Sequence, residues 1–204
     1  MKPNDRPKQK KPFVSYTKYA LSDQEIQRCL IKCDTTEKEL LIKLGVFYGF
    51  RRDDMRSLEI KNVDFTNKQI LFIDEKKDAL RNLPMNEDIM LCLKKHINTL
   101  PKNAKYLFSA RFKDKSLVGS KPIGSVTLYR LFQDILLDAD IPNPIGRTGR
   151  PFHTLRGTCV KTWKRKGMDA TQIALIIGDT METMMKHYET ATVSELADTI
   201  NKMG

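Results

Sequence analysis

Hydrophobic positions along the chain recur first with a helical period, then with a strand period, then with a helical period again. Leu21-Ser22-x-x-Glu25-Ile26 has the form of a capping box, with Leu21 and Ile26 spaced as a hydrophobic staple, and predicts a helix to about Cys33. Thr36-x-x-Glu39 predicts a second box. It opens a helix towards Gly49 whose Leu40, Leu41, Leu44 and Phe47 point inward. The period then changes. Val63–Phe65, Ile70–Phe72 and Arg81–Pro84 are short extended stretches separated by Asn/Asp/Lys turns, which predicts a small antiparallel sheet. Helical spacing returns at Glu87–Ile97 and at Ser125–Leu137, the latter apolar on two sides and expected in the interior. Beyond the loop "IPNPIGRTGRP", helices are predicted at about His153–Lys166, Asp169–Ile177 (Asp169 as N-cap) and Thr180–Tyr188. A last helix, about Val193 to Met203, carries Val193, Leu196, Ile200 and Met203 along one stripe. Residues 1–17 show no apolar periodicity, and no internal repeat is evident. The expected fold is α+β, mainly α, with a three-stranded antiparallel sheet: one domain over residues 18–204, preceded by a basic flexible tail or interdomain linker over residues 1–17.

Length and composition narrow the class. A chain of 204 residues suffices for one well-buried domain, and 40% hydrophobic with 30% charged residues fits an ordinary globular protein. No apolar run approaches the roughly 18–20 residues of a membrane span, and the Lys/Pro-rich start is unlike a signal peptide, so a cytoplasmic protein is expected. Cys29 and Cys33 share one helical face, Cys92 and Cys159 stand alone, and the three histidines (His96, His153, His187) form no cluster with metal-ligand spacing. Reduced structural thiols and no metal or cofactor are expected. Charge points to a partner. Thirty-six Lys and Arg against 25 Asp and Glu give +11, which favours a polyanion through counterion release. Candidate phosphate-backbone contacts are Lys2, Arg6, Lys8, Lys10 and Lys11 of the tail and Arg147 and Arg150 of the Pro/Gly/Arg-rich loop.

Several short motifs carry chemistry. "HTLR" sets His153 and Arg156 three apart, on one face of a helix. "GFRRDDMRSLEI" places Arg51 just after a Gly-aromatic helix end, with Asp54 three residues later. "DEKKDALRNLPM" places Lys76 in a hairpin turn, five residues before Arg81. "IIGDTMETMMKHY" ends in Tyr188, nine residues after Asp179. In order and spacing these resemble the tyrosine recombinases, whose catalytic domain shows an Arg in a "G-x-R-x-x-E" turn, a hairpin Lys before "R-x-V-P-L", an "H-x-x-R", an "L-G-H/W" turn and a Tyr nine residues on. The resemblance covers about Tyr19 to Lys202.

That resemblance implies roles. Arg51 and Arg156 would grip the non-bridging oxygens of a scissile phosphate, since guanidinium is permanently charged and forks onto oxyanions. Tyr188 would attack the phosphorus to give a 3′-phosphotyrosyl intermediate. Lys76 would protonate the departing 5′-oxygen, and His153 would help move protons at the phosphate. Asp54 stands where the family usually has Glu and would hold a nearby basic group. The implied partners are double-stranded DNA and further copies of the chain, as a synaptic tetramer, with the terminal helix packing on a neighbouring subunit.

Two departures stand out. Asp179 occupies the position where the family has His or Trp, and a carboxylate there repels phosphate unless protonated or turned away. The N-terminal DNA-clamping domain of most relatives is also absent, which fits either an excised fragment or a single-domain recombinase. Two alternatives remain open: a non-catalytic DNA-binding module of the same fold, and a DNA-relaxing enzyme similar to type IB topoisomerases.

Overall fold

The protein is described by a computed structural model. It covers residues 19–74, 79–110, 119–142 and 152–188, with backbone alone for 73, 74, 79 and 185–188. Eight α-helices, a 3-10 turn (Ile60–Asn62) and three strands fall in these segments: α1 (Asp23–Lys32), α2 (Thr36–Tyr48), α3 (Arg52–Ser57), β1 (Val63–Asp64), β2 (Gln69–Asp74), β3 (Ala79–Pro84), α4 (Glu87–Ile97), α5 (Ser125–Asp138), α6 (His153–Arg165), α7 (Ala170–Ile177) and α8 (Met181–Tyr188). The expected mainly helical α+β fold with a three-stranded antiparallel sheet is what forms, with strand order β1-β2-β3.

Local hydrogen bonding explains most boundaries. Ser22 and Glu25 make the reciprocal bonds of a capping box at the start of α1, and Leu21 and Ile26 are both buried beside it. At α2 the cap is one residue earlier than the spacing predicts. Thr35 accepts from the Lys38 N–H, while the Thr36 hydroxyl bonds the His96 Nδ1 at 3.0 Å and Glu39 pairs with Lys43. The predicted box at Thr36 fails because a tertiary partner claims its hydroxyl. The chain after Arg51, expected as a turn, closes into the short α3, in which Met55 alone is buried. β1 stops at Asp64, whose carboxylate accepts from the N–H groups of Thr66 and Asn67 and folds the chain back into β2. The residues joining β2 to β3, including Lys76, lie outside the described residues.

Helix α2 forms the centre. Its Leu40, Leu41, Ile42 and Leu44 are all 0% exposed, and it packs against α6, α4 and α5. α5 buries Leu128, Leu131, Phe132, Ile135 and Leu136 but leaves Val126 and Leu137 in solvent, so one of its two apolar sides is a surface. A smaller apolar cluster of Cys159, Val160, Ile173, Ala174, Ile177 and Met184 ties α6, α7 and α8 together. None of the four cysteines forms a disulfide, and burial pushes the Cys33 thiol to about 11 and those of Cys92 and Cys159 to about 12, so these thiols stay protonated near neutral pH. No helix of the described residues is long and apolar enough to cross a membrane. The predicted helix from Val193, the tail, and the loop with Arg147 and Arg150 lie outside the described residues, as do Lys2, Arg6, Lys8, Lys10 and Lys11.

Candidate active site

Three chain segments converge at one edge of α2. The first is its C-terminus. Gly49 takes the left-handed conformation (φ +58°) and turns the backbone so that Phe50 enters the core and Arg51 leaves it. The Phe50 ring packs edge-on against Phe72 of β2, with centroids 5.3 Å apart. Asp54 accepts from the Arg51 backbone N–H at 3.3 Å and lies 3.9 Å from its guanidinium, so it holds the basic group it was expected to hold.

The second segment is the first turn of α6, where His153 and Arg156 sit on one face as their spacing predicts. Arg156 is only 1% exposed, an unusual place for a charge, and its burial requires partners. One guanidinium nitrogen donates to the Gly49 carbonyl at 2.7 Å, and another donates to Asp179 at 2.5 Å. His153 is half-buried. Burial first, and then the nearby charges of Arg156 and Arg51, hold its imidazole below the usual value of 6.5. It is therefore neutral near pH 7, able to accept a proton rather than to serve as a fixed cation. A histidine NMR titration of the DNA-free protein should give a His153 midpoint below 6.5; a midpoint above it would contradict this environment. The sign for stability follows from the same shift. The unfolded chain takes up a proton that the fold refuses, so stability falls as pH drops below 6.5. His153→Gln should remove that part of the pH dependence.

The third segment is the end of α7. Asp169 and Gln172 form the capping box at its start, and Gly178 ends it at φ +66°. The Asp179 N–H then donates back to the Ala174 carbonyl at 3.0 Å, which fixes the turn. This turn delivers the Asp179 carboxylate to both arginines, one oxygen to each: Oδ1 accepts from Arg51 and Oδ2 from Arg156, both at 2.5 Å. The side chain of Asp179 is 7% exposed and that of Arg51 25%. Thr180 next caps α8, its hydroxyl accepting from the Thr183 N–H, and buried Met184 anchors that helix. Its last residue is Tyr188, described by its backbone. Arg51, Arg156, His153, Asp179 and Asp54 are thus brought together, and Lys76 lies outside the described residues.

Arg81 was expected to be only a landmark, yet it braces this turn. β3 pairs Arg81 with Phe72 and Leu83 with Ile70, so Arg81 is in phase with core positions. That alternation was the available signal, because an arginine on the inward face of a strand needs a buried acceptor. Its guanidinium lies over Phe72, 4.8 Å from the ring centroid, and donates to the Ile176 carbonyl at 2.8 Å. A Cβ on Gly178 would collide with the Arg81 guanidinium, which the Phe72 ring and the Ile176 carbonyl hold in place. Gly178→Ala should therefore cost about 2–4 kcal/mol, adding lost hydrogen bonding and stacking to the left-handed strain of about 1–2 kcal/mol. Gly167, at φ +88° with nothing within 4 Å of its Cβ position, supplies the control. In denaturant unfolding, Gly167→Ala should lose the strain alone, and equal losses in the two variants would contradict the bracing by Arg81.

The arrangement is a two-arginine anion seat with a neutral imidazole beside it. Tyrosine recombinase XerA of Saccharolobus solfataricus is 24% identical to this chain over 159 residues, 78% of the chain and 47% of the relative, so the chain spans about half of that protein. Among solved structures, a crystal structure of XerA recombinase superposes with a TM-score of 0.73 at 20% identity, covering 99% of this chain and 67% of that one. The Tn1549 transposon integrase in complex with transposon right end DNA gives 0.68 at 16% identity, covering 96% of this chain and 67% of that one. These likenesses establish the fold. The model of the phage integrase family matches residues 20–195, nearly the whole chain, and the chain belongs to that family.

Proposed function

We propose that this chain is the catalytic domain of a tyrosine site-specific recombinase, cleaving and rejoining duplex DNA through a 3′-phosphotyrosyl intermediate. The observation that carries the proposal is the convergence of Arg51 and Arg156 on one anion, from positions about a hundred residues apart, with His153 alongside. Two preorganised guanidiniums on one anion seat are suited to a phosphoryl group whose oxygens gain charge during attack. In the proposed step the Tyr188 oxygen attacks phosphorus in line, its proton passing to the neutral His153 imidazole, and the P–O5′ bond breaks. Lys76 gives its proton to the leaving oxygen. Rejoining reverses this, with the 5′-hydroxyl attacking and tyrosine leaving, so bond energy is conserved without a nucleotide cofactor.

The proposed partners are double-stranded DNA and further copies of the chain assembled as a synaptic tetramer, which would associate the protein with the nucleoid. A net charge of +11, and the basic residues of the tail and of the Arg147–Arg150 loop, support contact with the phosphate backbone. The test is a nicked suicide duplex, taken from inverted repeats flanking the gene, whose 5′-hydroxyl fragment diffuses away after cleavage. A detergent-resistant protein–DNA adduct is expected. Binding without adduct would indicate a non-catalytic module, and relaxation of supercoiled DNA lacking such repeats would indicate a relaxing enzyme.

A further inference from the structure

In place of a hydrogen-bond donor the chain carries Asp179, and its carboxylate does not turn away from the arginines. It sits between them, one oxygen on each guanidinium at 2.5 Å. A carboxylate and a phosphodiester share one feature here: both present two anionic oxygens on a single atom, the pattern to which paired guanidiniums are matched. We infer that Asp179 is a positioning residue that holds the phosphate seat in the DNA-free protein and yields it to the scissile phosphate. The inference rests on assigning Arg51 and Arg156 as the phosphate clamp.

Electrostatics explains why a surrogate is useful. Arg156 is almost wholly buried and Arg51 three-quarters covered, so two like charges converge in a region of low dielectric. An anion between them cancels that repulsion and keeps both forks aimed at one point. Removal of the anion leaves charges desolvated without compensation. The exchange is local. The Asp179 backbone is pinned by its N–H bond to the Ala174 carbonyl and by the cap at Thr180, so the carboxylate can leave by rotation of its own side chain. Arrival of a phosphate while the carboxylate stayed would set two anions against each other, so the two occupants exclude one another.

The consequence is selectivity. A free anion must compete with a tethered carboxylate at high effective concentration, and is refused. A phosphate on DNA already held by contacts elsewhere is itself tethered, and can win. The clamp is thereby reserved for a phosphodiester delivered by bound duplex.

The experiment compares inorganic phosphate binding to the intact chain and to Asp179→Asn by titration calorimetry in chloride buffer. Asparagine keeps the shape and removes the charge. Asp179→Asn should bind phosphate at least tenfold more tightly than the unaltered protein, and the gain should vanish in Arg156→Gln/Asp179→Asn. Should Asp179→Asn fold poorly, a phosphate-dependent rise in its melting temperature, absent from the unaltered protein, reads the same seat, and Asp179→Ser repeats the test. Equal phosphate affinity with and without the carboxylate, or a gain that survives loss of Arg156, overturns the inference. Adduct formation on the nicked duplex is scored in parallel. An adduct with unchanged phosphate affinity refutes the surrogate while leaving the recombinase assignment intact. Phosphate gained on removing Asp179, with no adduct in any protein, refutes the recombinase assignment and leaves the surrogate.

Discussion

Arg156→Ala is expected to slow DNA cleavage by about 10²–10³-fold, the range for losing one preorganised donor to a developing oxyanion. It should weaken DNA binding far less, because many other basic groups contact the backbone. The same substitution should also destabilise the fold. Arg156 is 1% exposed and bridges two segments, donating to the Gly49 carbonyl at the end of α2 and to Asp179 beyond α7. Its removal leaves a buried carbonyl unsatisfied and a carboxylate half-compensated, for about 3–5 kcal/mol. The two losses separate experimentally. Urea unfolding reads the stability, and single-turnover cleavage, corrected for the folded fraction, reads the chemistry. Arg156→Lys should recover part of the stability and little of the rate, since ammonium keeps the charge without the fork. A binding loss as large as the cleavage loss would mean that Arg156 merely holds DNA.

Much of the fold was legible because it is encoded locally. The capping box at Ser22–Glu25 and the N-cap at Asp169 need only a few neighbouring residues, and both form. The hairpin was legible from alternation, and its register places Ile70 against Leu83 and Phe72 against Arg81. The losses came where distant partners intervene. Thr36 gives up its cap to bond His96, sixty residues away, so Thr35 takes the position. Helix α3 was missed because its sequence, RDDMRS, offers one apolar residue and therefore no periodicity. At the site the residue types were legible and their pairing was not. Asp179 reads as an obstacle to phosphate, yet it meets Arg51 across 128 positions, a contact no local pattern encodes. The bracing of Gly178 by Arg81 is likewise a property of the packed hairpin and α7, visible in advance only as an arginine out of place on an inward strand face.

Tyr188→Phe should abolish covalent chemistry while leaving the fold and DNA binding unchanged. Tyr188 closes α8, a helix anchored by Met184 and launched from the turn that carries Asp179, so its backbone is tied to the arginine seat by one short rigid element. Removing the hydroxyl deletes the proposed nucleophile and leaves no group in its place, so the expected loss is complete rather than fractional. The decisive measurement is the mass-spectrometric mapping of the DNA-linked peptide after the unaltered chain has reacted with a nicked suicide duplex. The proposed mechanism places a 3′-phosphotyrosyl nucleotide on Tyr188 and yields no adduct from Tyr188→Phe. Nucleotide attached to any other residue, or an adduct retained by Tyr188→Phe, would contradict it.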